Sequence, residues 1–426
     1  MKMFRAYLPV ICLFFLCGAW TASADGGEGQ TVILNRETIR ELALKNYLDI
    51  QLAQLNVKAS QTELNYVYSK QDEANKAITG PTASRLPVTA EEFLAQIPEY
   101  DKLSDEQKVE IDQAIRIQGM INESFNQFIN AQNSEQYRAL LREQSLNLVS
   151  LNDNVRSVIS KSNLAKLELD KTKQLVGYYA IQQYTRILSA KNNIASLELE
   201  ADHLIQNVED TRHLLKLGLA SQAELSEAQS SREDKQAELE QMKTQYNALV
   251  HAFTANLGIS KDQTLLFQLL EVDVSRDDRS TVSIHLDDNY DLRKINEEIR
   301  SARASYDELL TKDRYLADFH LSTWYRKNDE KELLRKQLDR AMKQMEYEEQ
   351  SLHQKIGHLE KKFNENLQLQ RDRIRLAETG QVAHKQLEDI NLAVNLMRFQ
   401  LDNAKLEYYM FQEKKQLALN GVVLLD

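Results

Sequence analysis

Apolar residues along the second third of the chain fall on a narrow, regular ladder. From Val176 the ladder runs through Ala180, Tyr184, Ile187, Lys191, Ile194, Leu197, Ala201, Leu204, Val208 and Thr211 to Leu215, in steps of three or four. Only Lys191 and Thr211 are polar, and the mean step is about 3.5 residues, the spacing of a coiled-coil seam rather than of a broad globular stripe. A second ladder runs through Met342, Met345, Glu349, Leu352, Ile356, Leu359, Phe363, Leu367, Gln370 and Ile374. Residues 178–216 alone make a rod of roughly 60 Å if helical throughout.

Two glycines interrupt these rods. Gly218 and Gly380 each follow a ladder, and glycine takes positive φ without a Cβ penalty, so each predicts a helix end and a chain reversal. Arg212, His213 and Lys216 precede Gly218, where the negative helix end favours cations. Ser221 with Glu224 three residues on reads as a capping box that opens the next helix. The surroundings of the two glycines also repeat. Leu225, Tyr246 and Leu257 stand at the same offsets from Gly218 as Leu387, Tyr408 and Leu419 do from Gly380. Gly258 and Gly421 close the two arms, and Asn46-Tyr47 faces Asn289-Tyr290 upstream. The pattern predicts two tandem copies of a helix, an insert, a long helix, a tip and a returning long helix. Convergent coiled-coil composition is the alternative source of this likeness.

The N-terminus has a separate purpose. Lys2 and Arg5 precede the apolar run 7–20, and Ala22-Ser23-Ala24 forms a cleavage-type site before Asp25, so residues 1–24 read as a signal peptide. A retained anchor and a lipidated Cys17 are the alternatives. Segments are then expected at 25–258 (first repeat, with a Pro-containing helical insert at about 75–120), 259–281 (connector) and 282–426 (second repeat). Cys12 and Cys17 both lie in the leader, so an exported mature chain has neither disulfide nor thiolate chemistry. Losing Lys2 and Arg5 leaves 51 basic residues against 64 acidic ones, a net charge of −13, which argues against a nucleic-acid partner.

At this level the chain resembles the TolC-like outer-membrane efflux proteins, the outer membrane factors. The resemblance is carried by "TVILNRETIRELALKNYLDIQLAQ" (31–54), "YYAIQQY" (178–184), "LGLASQAEL" (217–225) and "ALVHAFTANLGI" (248–259), with "TGQVAHKQL" (379–387) and "QLALNGV" (416–422) repeating the last two. It implies an all-α dominated fold of very long antiparallel coiled-coil hairpins in two tandem repeats, the protomer of an α-barrel. It implies a homo-trimer working as a passive export channel, with a periplasmic adaptor protein and an inner-membrane pump as partners and no cofactor. The tips at Gly218, Leu219, Gly380, Gln381 and Val382 are expected to dock the adaptor. Glu224, Glu227 and Asp389 are expected as mouth carboxylates, against the plainer reading of first-turn acids that stabilise a helix N-terminus. Gln386 stands where the family has a further aspartate.

The resemblance also implies barrel strands in each half, and here the chain departs from the pattern. Residues 81–98 hold all the mature prolines, "TAEE" (89–92) and "SDEQ" (104–107) are capping boxes of short helices, and the alternation of "SLNLVSL" (145–151) sits inside a helical pattern. In the second half "ADFHLSTWYR" (317–326) alternates, and a minimal β element is expected there, a membrane strand bearing Phe319, Leu321, Trp324 and Tyr325. No partner strand follows it. A barrel-less, exported coiled-coil scaffold of the cell envelope is therefore the alternative to a complete duct. The eight histidines are scattered without H-E-x-x-H spacing, and there is no glycine-rich phosphate loop, so no catalytic, cofactor or metal site is expected.

Overall fold

The computed structural model describes residues 31–76, 84–260, 262–268, 270, 272, 286–381 and 383–425. The leader over 1–24, Val382 and most of the connector lie outside them. The chain begins with β1 (Val32–Leu34), α1 (Arg36–Asn46) and α2 (Leu48–Ala74). The short α3 (Ala90–Leu94) leads to α4 (Asp105–Lys216), and α5 (Gln222–Asn256) returns from the first tip. After β2 (Leu265–Phe267) come α6 (Tyr290–Leu309), α7 (Arg314–Glu378) and α8 (His384–Leu419).

At 112 residues, α4 is a rod of about 170 Å. The Ser104 side chain accepts from Gln107 N–H while Gln107 reaches back to the Ser104 N–H, so a capping box starts it. Thr89 and Glu92 start α3 in the same way. Along α4 the first ladder is the packed seam: Ala180, Tyr184, Ile187, Leu197, Ala201 and Val208 are all buried. In the second ladder Met345 and Ile356 are buried, and the two polar members meet partners on α8. Glu349 pairs with Lys415 at 3.1 Å and Gln370 donates to Asn391 at 2.7 Å. Ion pairs flank the seams, Lys235 to Glu200 and Lys243 to Glu198 between α4 and α5, Lys414 to Glu348 and Lys405 to Glu360 between α7 and α8. This is the edge-pair arrangement of a coiled coil, which fixes register more than it adds stability.

The two predicted reversals and the two arm ends use one device. At Gly218 the Leu219 N–H bonds to the Leu214 carbonyl and the Gly218 N–H to that of Leu215. The same pair of bonds closes the helices at Gly258, Gly380 and Gly421, and each glycine has φ between 68° and 87°. This is the Schellman arrangement, which satisfies end-of-helix carbonyls only if one residue turns left-handed.

The halves meet where Leu406 and Tyr409 of α8 join the core of the first half, and each half closes on itself nearby. Asn46 donates to the Leu257 carbonyl at 2.6 Å, and the Tyr290 N–H donates to the Gly421 carbonyl at 2.9 Å. Thus each Asn-Tyr motif closes on its own arm-ending glycine. Beside them Leu34, Ile39, Ile181, Tyr184, Phe253 and Leu257 form a dry core. Burying each such side chain contributes roughly 1.5–3 kcal/mol relative to leaving it in water. Tyr184 stacks on Phe267, and its hydroxyl lies 2.9 Å from the Leu34 carbonyl and 2.5 Å from that of Gln268. It thereby fastens α4 to the parallel pair β1–β2, whose register is Val32 to Leu265, Ile33 to Leu266 and Leu34 to Phe267.

The β element is therefore at β1–β2, and the strand expected over 317–326 is a correction. Those residues belong to α7, and Phe319, Leu321, Trp324 and Tyr325 are helical. The reason is the nature of the packed face. Ala317, His320, Leu321, Trp324, Lys327 and Asn328 turn inward at helical spacing, and much of that face is polar. His320 lies 3.3 Å from Asp153 of α4, Arg303 of α6 stacks on Trp324, and Lys327 pairs with Glu298 at 2.8 Å. A helix anchored by polar contacts shows no apolar 3.6-residue period, so the outward Phe319 and Tyr325 dominated the alternation. Residues 145–151 are likewise helical, within α4.

Candidate functional site

The two tips lie together at one end of the molecule. Between them the α4 and α8 rods are joined by His203 to Asp389 at 2.9 Å and by Lys385 to Asn207 at 3.2 Å. Farther from the tips Asn403 bridges two residues of α4, accepting from Asn192 at 3.1 Å and donating to Asn193 at 2.8 Å. A polar cluster in an otherwise apolar seam sets register, because any slip leaves its amides unpaired.

The first tip is capped and apolar. Ser221 N–H donates to the Glu224 carboxylate at 2.5 Å while Ser221 Oγ accepts from the Glu224 N–H at 3.2 Å. That backbone hydrogen bond holds the Glu224 carboxyl below the usual carboxylate range. Leu217 and Leu219 project to solvent, Leu219 with 72% of its surface exposed. The second tip is built differently: the N-cap of α8 is Ala383, which supplies no side-chain cap, and Gln381 is exposed. Around Gly218 and Gly380 an added Cβ would touch nothing, so there the glycines answer to φ alone.

The predicted mouth carboxylates do not converge on one point in a single chain. Glu224 is committed to its own helix start, Glu227 is exposed one turn further along α5, and Asp389 faces His203. His203 was not singled out by the sequence, since a lone histidine on a charged helix carries no signal until α8 is laid against it. Between α4, α7 and α8 a groove of about 580 Å³ is lined by Arg186, Glu348, Glu407 and Lys414 beside Tyr178 and Phe411. Among the described residues no group of three or more His, Asp or Glu is placed to hold a metal ion, and no helix is long and apolar enough to cross a membrane.

A further seam, visible in the spacing of the sequence, lies on α2. On α2 the residues Leu48, Leu52, Leu55, Ala59, Thr62 and Tyr66 follow steps of four and three, and this ladder points away from α4. Leu48, Leu52, Leu55 and Tyr66 are 66%, 50%, 60% and 61% exposed. On α7, at the same level, Tyr315, Phe319 and Leu333 are also exposed. The chain thus carries finished seams inside and bare seams outside.

No family model and no curated protein matches the chain. Solved structures do. The CmeC outer membrane channel of Campylobacter jejuni superposes with a TM-score of 0.58 at 11% identity, over 91% of this chain and 85% of that one. The transmembrane channel CusC gives 0.56 at 12% identity, over 94% of this chain and 96% of its own. The outer membrane protein VceC of Vibrio cholerae gives 0.53 at 11% identity, over 91% and 96%. The protein has the TolC-like fold of these outer-membrane channels, as the duplicated arms led one to expect.

Proposed function

We propose that the protein is a passive, homo-trimeric helical duct of the cell envelope, a TolC-like efflux component. Three chains close a tube by pairing the bare ladder of α2 with the exposed face of α7 on the next copy. The paired tips form its mouth and dock a periplasmic adaptor, behind which an inner-membrane pump supplies energy and specificity. The observation that carries the reading is the exposed α2 ladder. Four large apolar side chains at seam spacing stay in water in a single chain, and a rod exposing such a seam is stable only when it is covered. The TolC-like fold and the docking-sized apolar knob at Leu217 and Leu219 support the same conclusion.

Helices stand at 90–94, 105–150 and 314–333, where barrel strands were expected, and this favours a tube whose membrane barrel is reduced. Mass measurement in detergent and in plain buffer tests the assembly, with Leu52→Glu and Leu55→Glu as the disrupting changes. The wild-type chain should run as a trimer and the double variant as a helical monomer. A wild-type monomer would end the duct reading. Fractionation then separates duct from scaffold: the duct stays with the outer membrane, whereas osmotic release would favour the barrel-less scaffold.

A further inference from the structure

The end of α4 farthest from the tips has its own bare seam. The chain leaves α2 where Gln144 bonds to the carbonyls of Ala74 and Lys76, and α3 and its flanks lie back along α4 as a strap. The strap is pinned to one face only. Asn126 exchanges two 2.9 Å bonds with the backbone of Leu86, Asn122 donates to the Pro87 carbonyl at 2.7 Å, and Gly119 lets the Val88 carbonyl approach to where a Cβ would stand 2.6 Å away. On the opposite face Ile117, Ile121, Ser124 and Phe128 follow steps of four, three and four, flanked by Val109, Met120 and Phe125. The six large apolar members among these are between 45% and 65% exposed. With two aromatic side chains at about 200 Å² and four aliphatic ones at about 100 Å², rather more than half of it bare, they leave roughly 450 Å² per chain, over half of the ~800 Å² per partner of a stable interface. Beyond them, residues 134–143 are exposed on every side of the helix, nearly three turns with no covering element among the described residues.

We propose that this stripe is covered by the same stripe of a second copy, so that the α4 extensions associate as a parallel coil at the end of the tube opposite the tips. The inference rests on the tube reading for its symmetry, and it adds an element at a place where barrel strands were expected. Charge selects the occupant. Between Arg116 and Glu135 the only charged residue is Glu123, in a chain that is 27% charged. Identical helices of an acidic protein approach most readily where like charges are few, and between Arg116 and Glu135 Asn, Gln and Ser take their place. A lipid surface would instead call for Lys and Arg along the rim, and Lys108 and Arg116 are outnumbered there by Asp105, Glu106, Glu110, Asp112 and Glu123.

The test uses the full chain with Cys12→Ser and Cys17→Ser, carrying Ile121→Cys, Phe128→Cys or, as control, Asn130→Cys on the far face. Mild oxidation should cross-link chains at 121 and 128 and leave 130 unlinked. Adding Phe128→Asp to the Ile121→Cys chain should cut cross-linking about tenfold while helicity by circular dichroism is retained. An oligomeric chain that stays unlinked at 121 and 128 overturns this inference and leaves the duct intact. A monomeric chain without cross-links overturns both. Loss of cross-linking on adding phosphatidylcholine vesicles, with a fluorophore at 128 moving into lipid, assigns the stripe to membrane and overturns the inference as well.

Discussion

The two halves differ at one end and agree at the other. Towards the tips, α4–α5 and α7–α8 are the same object: a ladder, a Schellman glycine, a returning helix and a second glycine that closes on an Asn-Tyr motif. Away from the tips, α6 passes to α7 across residues 310–313, whereas α2 reaches α4 only through the strap and a long bare extension. The repeated end is the one where the seams are mutual and geometry is constrained on all sides. The unrepeated end is where nothing in the other half answers, so its form follows from whatever covers it in the assembly.

The four glycines give the largest test of this likeness. They share a backbone conformation but not a neighbourhood. At Gly421 a Cβ would stand 2.6 Å from the Asp288 carbonyl, which is backbone and cannot yield; at Gly258 it would stand 2.9 Å from the Asn46 side chain. We expect Gly421→Ala to cost about 3 kcal/mol, left-handed strain plus overpacking. Gly258→Ala should cost about 2 kcal/mol, and Gly218→Ala or Gly380→Ala about 1 kcal/mol from strain alone. Urea titrations followed by circular dichroism give the order, and equal costs at all four sites would refute the division between arm ends and tips.

Next comes Tyr184, which fastens the first half to β1–β2 and lacks a counterpart in the second. Tyr184→Phe removes the donor to the Leu34 and Gln268 carbonyls and should cost about 1–2 kcal/mol at neutral pH. Burial pushes its hydroxyl up to about 12 from the usual 10. The unfolded chain therefore loses this proton first, so the stability is complete below pH 10 and declines as pH rises from 10 towards 12. Alkaline unfolding, read from tyrosinate absorbance, should be less steep in Tyr184→Phe; an unchanged profile would remove Tyr184 as its source.

The smallest effects separate the two tips. Ser221→Ala discards a capping box and should lower stability by about 1 kcal/mol, whereas Ala383→Ser supplies a cap that α8 lacks and should raise it by a few tenths to 1 kcal/mol. Hydrogen exchange at the tip amides reads both. Tips that respond alike would mean that the second one is capped by other means.

Much of this fold was legible because its signals are local and periodic. The ladders, the capping boxes at Ser104 and Ser221 and the left-handed glycines each depend on residues within a few turns of one another. The segment 317–326 is helical, against its alternating pattern, for the opposite reason. Its packed face is held by Asp153 and Arg303 from other helices, and the sequence near Trp324 contains no trace of them. The site divides similarly. Gly218 and Gly380 were visible in advance, but the pairing of Asp389 with His203, 186 residues apart, was not. Glu224 caps its own helix start, a local contact that its spacing from Ser221 made recognisable.

Sequence alone determined that long rods reverse at Gly218 and Gly380, since helix period, caps and left-handed turns are properties of neighbouring residues. Tertiary structure decided which rods share seams, where the β pair forms and which ladders are left in water. Those outcomes depend on surfaces brought together from hundreds of residues apart, where each polar contact is chosen by its partner.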